Sequence, residues 1–150
     1  MANIPFVDDQ EPISLRTDGD GPLSHSSAAF SADIEACNYR SFEFIINFDK
    51  NGDVVPELNF WVQHFVEGLG YTQLSKSLFV LTGFSTCSGA DFSFVGDDLV
   101  VDTTGWATSG RFSLEVPALG STMRIAALAP AASTPPNQWC QISLVRRAKG

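Results

Sequence analysis

The sequence predicts an all-β protein, an antiparallel β-sandwich of the jelly-roll or immunoglobulin-like type. From residue 30 onward, apolar and polar residues alternate with a period of two, which is typical of half-buried strands. The alternating segments are short, and turn residues separate them roughly every ten residues. No window of about a dozen residues has a helical period. The 150 residues are enough for one domain with a core of its own.

The two strongest strand signals flank a hairpin turn. The first covers residues 40–48 and places four apolar side chains on one face: Phe42, Phe44, Ile46 and Phe48. Asn51 and Gly52 follow, a pair typical of a type I′ turn. The second signal starts after Pro56 and runs to Val66. Its apolar face carries Leu58, Phe60 and Val62.

Weaker alternation predicts the remaining strands. They cover residues 71–74, 78–82, 91–95, 99–102, 111–116, 122–128 and 138–146. Residues 83–89 and 103–110 are rich in Gly, Ser and Thr, and we expect both to be loops. Two antiparallel sheets with one apolar face each bury those faces against one another.

Residues 1–30 are predicted to form an extended N-terminal arm, and residues 31–150 a single β-sandwich domain. The N-terminal arm contains three prolines and a turn-prone segment at residues 18–21, without a sustained period. Ile4, Phe6 and Val7 are the apolar residues that we expect to anchor it. The arm lies either along its own domain or on neighbouring subunits.

Charge and cysteine usage exclude several classes of protein. The net charge is −8, and residues 1–60 hold eleven acidic and three basic residues. A nucleic-acid partner requires a basic face, so we expect none. No apolar run approaches about 18 residues and no signal peptide is visible, so we expect no membrane partner. The cysteines Cys37, Cys87 and Cys140 are odd in number and widely spaced, which favours free thiols in a reducing cytoplasm.

We found no catalytic or metal-binding motif. Residues 49–53 have the spacing that opens a calcium loop, but Val54 and Phe60 stand where that loop needs Gly and Glu. A nucleophile elbow is absent, and nothing local supports a Cys87–His64 pair. We therefore expect a protein that is not an enzyme and takes no metal or cofactor.

Four aromatic residues are candidate interface residues. Trp61 and Phe65 fall on the outward phase of the second long strand, Trp139 does so on the last strand, and Trp106 lies in a loop. Large exposed aromatics mark contact surfaces. They would serve a protein–protein interface or a platform on which sugar rings stack, unless a loop or the N-terminal arm covers them.

Strands and glycine-containing turns follow one another in a recognisable layout over residues 40–146. It is carried by FWVQHF (60–65), GLGYTQL (68–74), GRFSL (110–114), MRIAA (123–127) and QISLV (141–145). This layout resembles that of head-decoration, head–tail or tail accessory β-sandwich proteins of tailed bacteriophages.

The resemblance implies a non-enzymatic structural protein of a phage-like particle. Such a protein is made in the host cytoplasm and enters the virion, where it binds the assembled lattice as a homo-oligomer. Its partners are other virion proteins such as the major capsid protein, reached through the N-terminal arm and the exposed aromatics. The alternative is a carbohydrate-binding β-sandwich module, since lectin-like domains share this pattern of strands.

Overall fold

The structure, a computed structural model, describes residues 12–149, and there twelve strands form two antiparallel sheets that pack face to face. The predicted class, an all-β antiparallel sandwich, is confirmed. The strands are β1 Ile13–Arg16, β2 Ala29–Phe30, β3 Ile34–Glu35, β4 Tyr39–Asp49, β5 Glu57–Val66, β6 Gly70–Gln73, β7 Val80–Ser85, β8 Phe92–Val95, β9 Asp98–Asp102, β10 Ser109–Pro117, β11 Thr122–Leu128 and β12 Trp139–Ala148. Short 3-10 helices lie at Asp18–Asp20, Lys76–Leu78 and Gly89–Asp91.

One sheet has five strands and the other has seven. The five-stranded sheet has the order β1-β12-β4-β10-β7. The seven-stranded sheet has the order β2-β11-β5-β9-β8, while β3 adds to β11 and β6 adds to β5. The long strands β4 and β5 are therefore central, one in each sheet.

The core lies between the two long central strands. Along β4, buried and half-buried residues alternate because successive side chains point to opposite faces. The side chains predicted to share an inward face are all buried: Phe42, Phe44, Ile46 and Phe48 on β4, and Leu58, Phe60 and Val62 on β5. The two sheets meet where the rings of Phe60 and Phe112 pack edge to face, with centroids 5.5 Å apart. Burial of each such ring contributes about 1.5–3 kcal/mol.

Part of the segment predicted as an N-terminal arm belongs to the sandwich. β1 is an edge strand of the five-stranded sheet, with Ile13 opposite Leu144, and β2 pairs with β11 in the other sheet. Between these strands, Leu23 is fully buried. The sandwich therefore begins before the predicted boundary at residue 30. The predicted anchors Ile4, Phe6 and Val7 lie outside the described residues.

The predicted loop at residues 83–89 is in part a strand. β7 continues through Ser85, and Gly83 lies opposite Ser113 of β10. A Cβ at Gly83 would come within 3.1 Å of the Ser113 Oγ, so glycine permits this close approach of two strands. The Gly, Ser and Thr residues that predicted a loop here instead form part of an edge strand, and the register of that strand with β10 shifts once.

Trp106, predicted as an interface residue, is a core residue that is only 5% exposed. Its indole Nε1 donates to Asp91 Oδ2 at 3.2 Å, and its ring centroid lies 6.2 Å from that of Phe48. Gly110 leaves room for the ring, because a Cβ there would come within 2.4 Å of it. The loop at residues 103–110 thus folds its tryptophan inward, which removes Trp106 from the candidate interface.

Candidate functional site

Trp61 and Phe65 lie on the outer face of the seven-stranded sheet. Both sit on the phase of β5 that points away from the core, and Phe65 is 37% exposed. Trp61 is half-buried because the ring of Phe30 packs edge-on against it, with centroids 6.4 Å apart. Phe30 itself is 47% exposed. The N-terminal arm thus covers part of Trp61 and adds an aromatic of its own to the surface.

Three further residues join this surface that the sequence analysis did not single out: Phe30, Tyr71 and Arg124. The Arg124 guanidinium lies 4.1 Å from the ring centroid of Phe30 and 3.9 Å from that of Tyr71. Tyr71 in turn meets the ring of Phe65 edge to face at 5.6 Å. We call these five residues the aromatic band: Phe30, Trp61, Phe65, Tyr71 and Arg124.

Polar contacts hold the aromatic band in place. Arg124 Nε donates to Gln63 Oε1 at 2.7 Å, and the Tyr71 hydroxyl donates to a carboxylate oxygen of Asp33. Desolvation, with a smaller contribution from Asp33, raises the pKa of Tyr71. The hydroxyl is a donor at neutral pH in any case, because the usual pKa of a tyrosine is about 10. Each cation–π contact contributes about 0.5–1 kcal/mol at an exposed site. The side chains are therefore ordered before any partner arrives, which lowers the entropic cost of binding.

The predicted interface residues that lie within residues 12–149 do not form one site. Trp139 is 45% exposed, but it begins β12 and lies on the outer face of the five-stranded sheet. That face is on the opposite side of the sandwich from the aromatic band. Of the residues predicted from the sequence, Trp61 and Phe65 share a surface, Trp139 stands apart, and Trp106 is inside.

The described residues, 12–149, bring together no group of three His, Cys, Asp or Glu side chains that could hold a metal ion. His64 belongs to β5, whereas Cys87 follows β7 of the other sheet, and its Sγ donates to the Arg111 carbonyl oxygen at 3.2 Å. Desolvation by burial raises the pKa of the Cys87 thiol, and it raises the pKa of Cys140 to about 12. A raised pKa keeps a thiol protonated at neutral pH, whereas the nucleophile is the thiolate.

These differences in burial predict an order of thiol reactivity. In the native protein, a disulfide reagent at pH 8 is expected to modify the exposed Cys37 first and Cys87 more slowly. The buried Cys140 is expected to react only after denaturant is added. Intact-mass spectrometry over time, with peptide mapping of each adduct, measures the order. Early labelling of Cys140 in native buffer would contradict the packing described above.

No protein-family model, curated protein or solved structure matches the chain. Over residues 12–149, no helix is both long enough and apolar enough to cross a membrane. The fold and its surfaces define a β-sandwich domain that carries the aromatic band on the outer face of its seven-stranded sheet.

Proposed function

We propose that the protein is a non-enzymatic structural component of a phage-like particle and binds neighbouring virion proteins, such as the major capsid protein, through the aromatic band. The observation that carries the proposal is a set of Trp, Tyr, Phe and Arg side chains that contact one another on the outer face of one sheet, with Phe30 and Phe65 exposed and the others half-buried. In this proposal, the protein is made in the host cytoplasm and enters the virion as a homo-oligomer.

The composition of the aromatic band supports a protein partner. Trp, Tyr and Arg are the residue types most enriched among interface residues that dominate binding energy. Beneath the band lies Ala126, which is paired with both Trp61 and Phe30 and is fully buried under them. A small residue at this position lets the two rings lie close to the sheet. The result is an aromatic surface in which one cation, the Arg124 guanidinium, lies between the rings of Phe30 and Tyr71.

Binding to an assembled lattice would explain how such a protein stabilises a particle. A protein that binds only the assembled shell stabilises it by mass action. Many copies on one lattice bind with avidity, so each contact can be modest. In this proposal, Ile4, Phe6 and Val7 are additional anchors that dock on a neighbouring subunit, either by strand addition or in an apolar groove.

The proposal predicts that Trp61→Ala weakens binding to particles by about 30-fold or more, the loss typical of an interface residue at the centre of a contact. Co-sedimentation with particles that lack the protein measures the apparent Kd. Phe65→Ala is a second variant, since its side chain is more exposed and its removal disturbs the fold less.

Trp139→Ala is the matched control, because it removes an exposed tryptophan from the opposite face of the sandwich. It should bind particles as the unmodified protein does. Removing residues 1–11 leaves β1 intact and tests the anchors Ile4, Phe6 and Val7 separately. Unchanged particle binding by both Trp61→Ala and Phe65→Ala would refute the aromatic band as the interface.

A further inference from the structure

The outer face of the five-stranded sheet is polar and has two distinct halves. In one half, the polar side chains bond to each other. Arg147 bridges Glu43 at 3.0 Å and Glu115 at 3.1 Å, and the Thr82 hydroxyl donates to Glu43 at 2.5 Å. Ser41 donates to Glu115 at 3.3 Å. This half is a closed network with few groups left for a ligand.

The other half carries a row of polar side chains, two of which lack such partners. Gln141, Asn47, Arg111 and Ser85 lie opposite one another on four adjacent strands, so they form one row across the sheet. Neither the Asn47 amide nor the Arg111 guanidinium takes part in a hydrogen bond or ion pair within residues 12–149. Neighbouring strands are about 4.8 Å apart, so the row spaces donors and acceptors at intervals of that size.

The exposed Trp139 stands beside this row. It lies opposite Asp49, and Asp49 is two residues from Asn47 on the same face of β4. Asp49 Oδ1 accepts from the backbone N–H of Asn51 at 2.8 Å, which fixes its carboxylate at the end of the strand. An indole, a carboxylate, a primary amide and a guanidinium are therefore gathered at one end of the sheet.

These groups line an open cleft, which we call the Trp139 cleft, of about 500 Å³. Its walls include Asn47, Asp49, Arg111, Trp139 and Gln141. A second cleft of about 300 Å³ shares Ser85 and Arg111 with it and leads along the sheet towards Glu43. The larger cleft is within the size range of small-molecule sites, and the adjoining one gives room for a ligand of several units.

We propose that the Trp139 cleft is a binding site for a neutral oligosaccharide. A pyranose ring has an apolar face of C–H groups that packs on an aromatic ring, and its rim carries hydroxyls that both donate and accept. Trp139 supplies the aromatic surface. Asn47 and Arg111 supply unpaired donors, while Asp49 and the Asn47 oxygen supply acceptors.

The charges of the cleft favour a neutral ligand over an anionic one. Its walls carry one cation, Arg111, and one anion, Asp49. A second acid is close by, because Gln141 Nε2 donates to Asp18 Oδ1 at 3.0 Å. The whole chain carries a net charge of −8, which repels polyanions at a distance. This inference does not rest on the proposed function, since the aromatic band occupies the other face of the sandwich.

The test is isothermal titration calorimetry of the full chain with two panels of four- to six-residue oligosaccharides. The first panel contains gluco-, galacto- and manno-oligosaccharides, and the second contains oligomers of uronic acids. We expect at least one member of the neutral panel to bind and to protect Trp139 from quenching by acrylamide. Trp139→Ala and Asn47→Ala should each weaken that binding by about tenfold or more. Trp139→Tyr should retain part of it, because the ring survives.

The matched control is Trp61→Ala, which removes a tryptophan from the opposite sheet and should bind the oligosaccharide as before. Three results would overturn the proposal: no binding by the neutral panel, binding restricted to the uronic panel, or binding that Trp139→Ala and Asn47→Ala leave unchanged. Loss of binding in Trp61→Ala alone would place the sugar on the aromatic band and refute the Trp139 cleft. Particle binding, measured separately, reports on the proposed function and not on this site.

Discussion

Trp106→Ala is expected to destabilise the fold by about 3–5 kcal/mol, the loss typical of deleting a buried aromatic side chain. The indole is 5% exposed, packs against Phe48, and donates a hydrogen bond to Asp91. Alanine would leave a cavity at this end of the sandwich, and Asp91 Oδ2 would keep only its hydrogen bond from the Ser88 backbone N–H. Urea unfolding followed by circular dichroism measures the change in free energy.

The loop around Trp106 gives the ring little freedom to adapt. The backbone N–H of Trp106 donates to Thr103, and its carbonyl oxygen accepts from Lys50 Nζ at 3.1 Å. Thr103 is itself buried and bonded through its hydroxyl to the Val55 carbonyl oxygen. The loop is therefore held at Thr103 and at Trp106 itself, so neighbouring side chains cannot readily close the cavity.

Gly110 tests the same packing from the other side. Gly110→Ala places a Cβ within 2.4–2.7 Å of three atoms of the Trp106 ring, so the ring must move. We expect a loss of about 1–3 kcal/mol, as for other overpacked core positions. In the Trp106→Ala background the clash is absent, and Gly110→Ala should then be nearly neutral, which makes the two changes strongly non-additive.

Trp139→Ala is the control for this pair, since it removes a tryptophan that is 45% exposed. Its effect on stability should stay within about 0.5 kcal/mol. Equal losses for Trp106→Ala and Trp139→Ala would mean that the loop does not fold its tryptophan into the core. Additive effects of Trp106→Ala and Gly110→Ala would contradict the contact between them.

The periodic strands were predictable because burial of one sheet face imposes a period of two. β4 has eleven residues and β5 has ten, so each is long enough to show several repeats of buried apolar side chains on its inward face. β1 to β3 were missed because they are short and lie in a segment with prolines, turn-prone residues and no sustained period. They form through pairing with β12 and β11, which depends on contacts distant in sequence.

The surfaces were predictable only in part. The phase of β5 indicated that Trp61 and Phe65 point outward, but the phase of one strand does not tell which residues stand beside them. Arg124 joins the aromatic band because β11 pairs with β5 in a particular register. A residue in a loop has no strand alternation that would show whether its side chain points inward or outward. Trp106 was therefore predicted to lie at the surface. The nearby Gly110 was the one local sign that a large ring needs space there.

The second large effect concerns Gln138, which holds Leu23 of the N-terminal arm in the core. Its side chain is fully buried. Its Oε1 accepts from the Leu23 N–H at 3.0 Å and its Nε2 donates to the Leu23 carbonyl at 2.7 Å. The amide thus replaces the strand partner that Leu23 lacks. Gln138→Ala leaves two buried backbone groups unpaired, and each costs about 1–3 kcal/mol. We expect a loss of about 2–6 kcal/mol in urea unfolding.

Gln141→Ala is the matched control, because Gln141 lies three residues further along the chain, is exposed on β12, and bonds Asp18 at the surface. Its effect should stay within about 0.5 kcal/mol. Limited trypsin digestion supplies a second readout, since Arg16 ends β1 and its guanidinium donates to the Gly21 carbonyl oxygen at 2.6 Å. Gln138→Ala should accelerate cleavage after Arg16, seen by intact mass, whereas Gln141→Ala should not. Unchanged cleavage and stability in Gln138→Ala would mean that β1 and Leu23 are held without this amide. The arm would then owe its place in the sandwich to strand pairing alone.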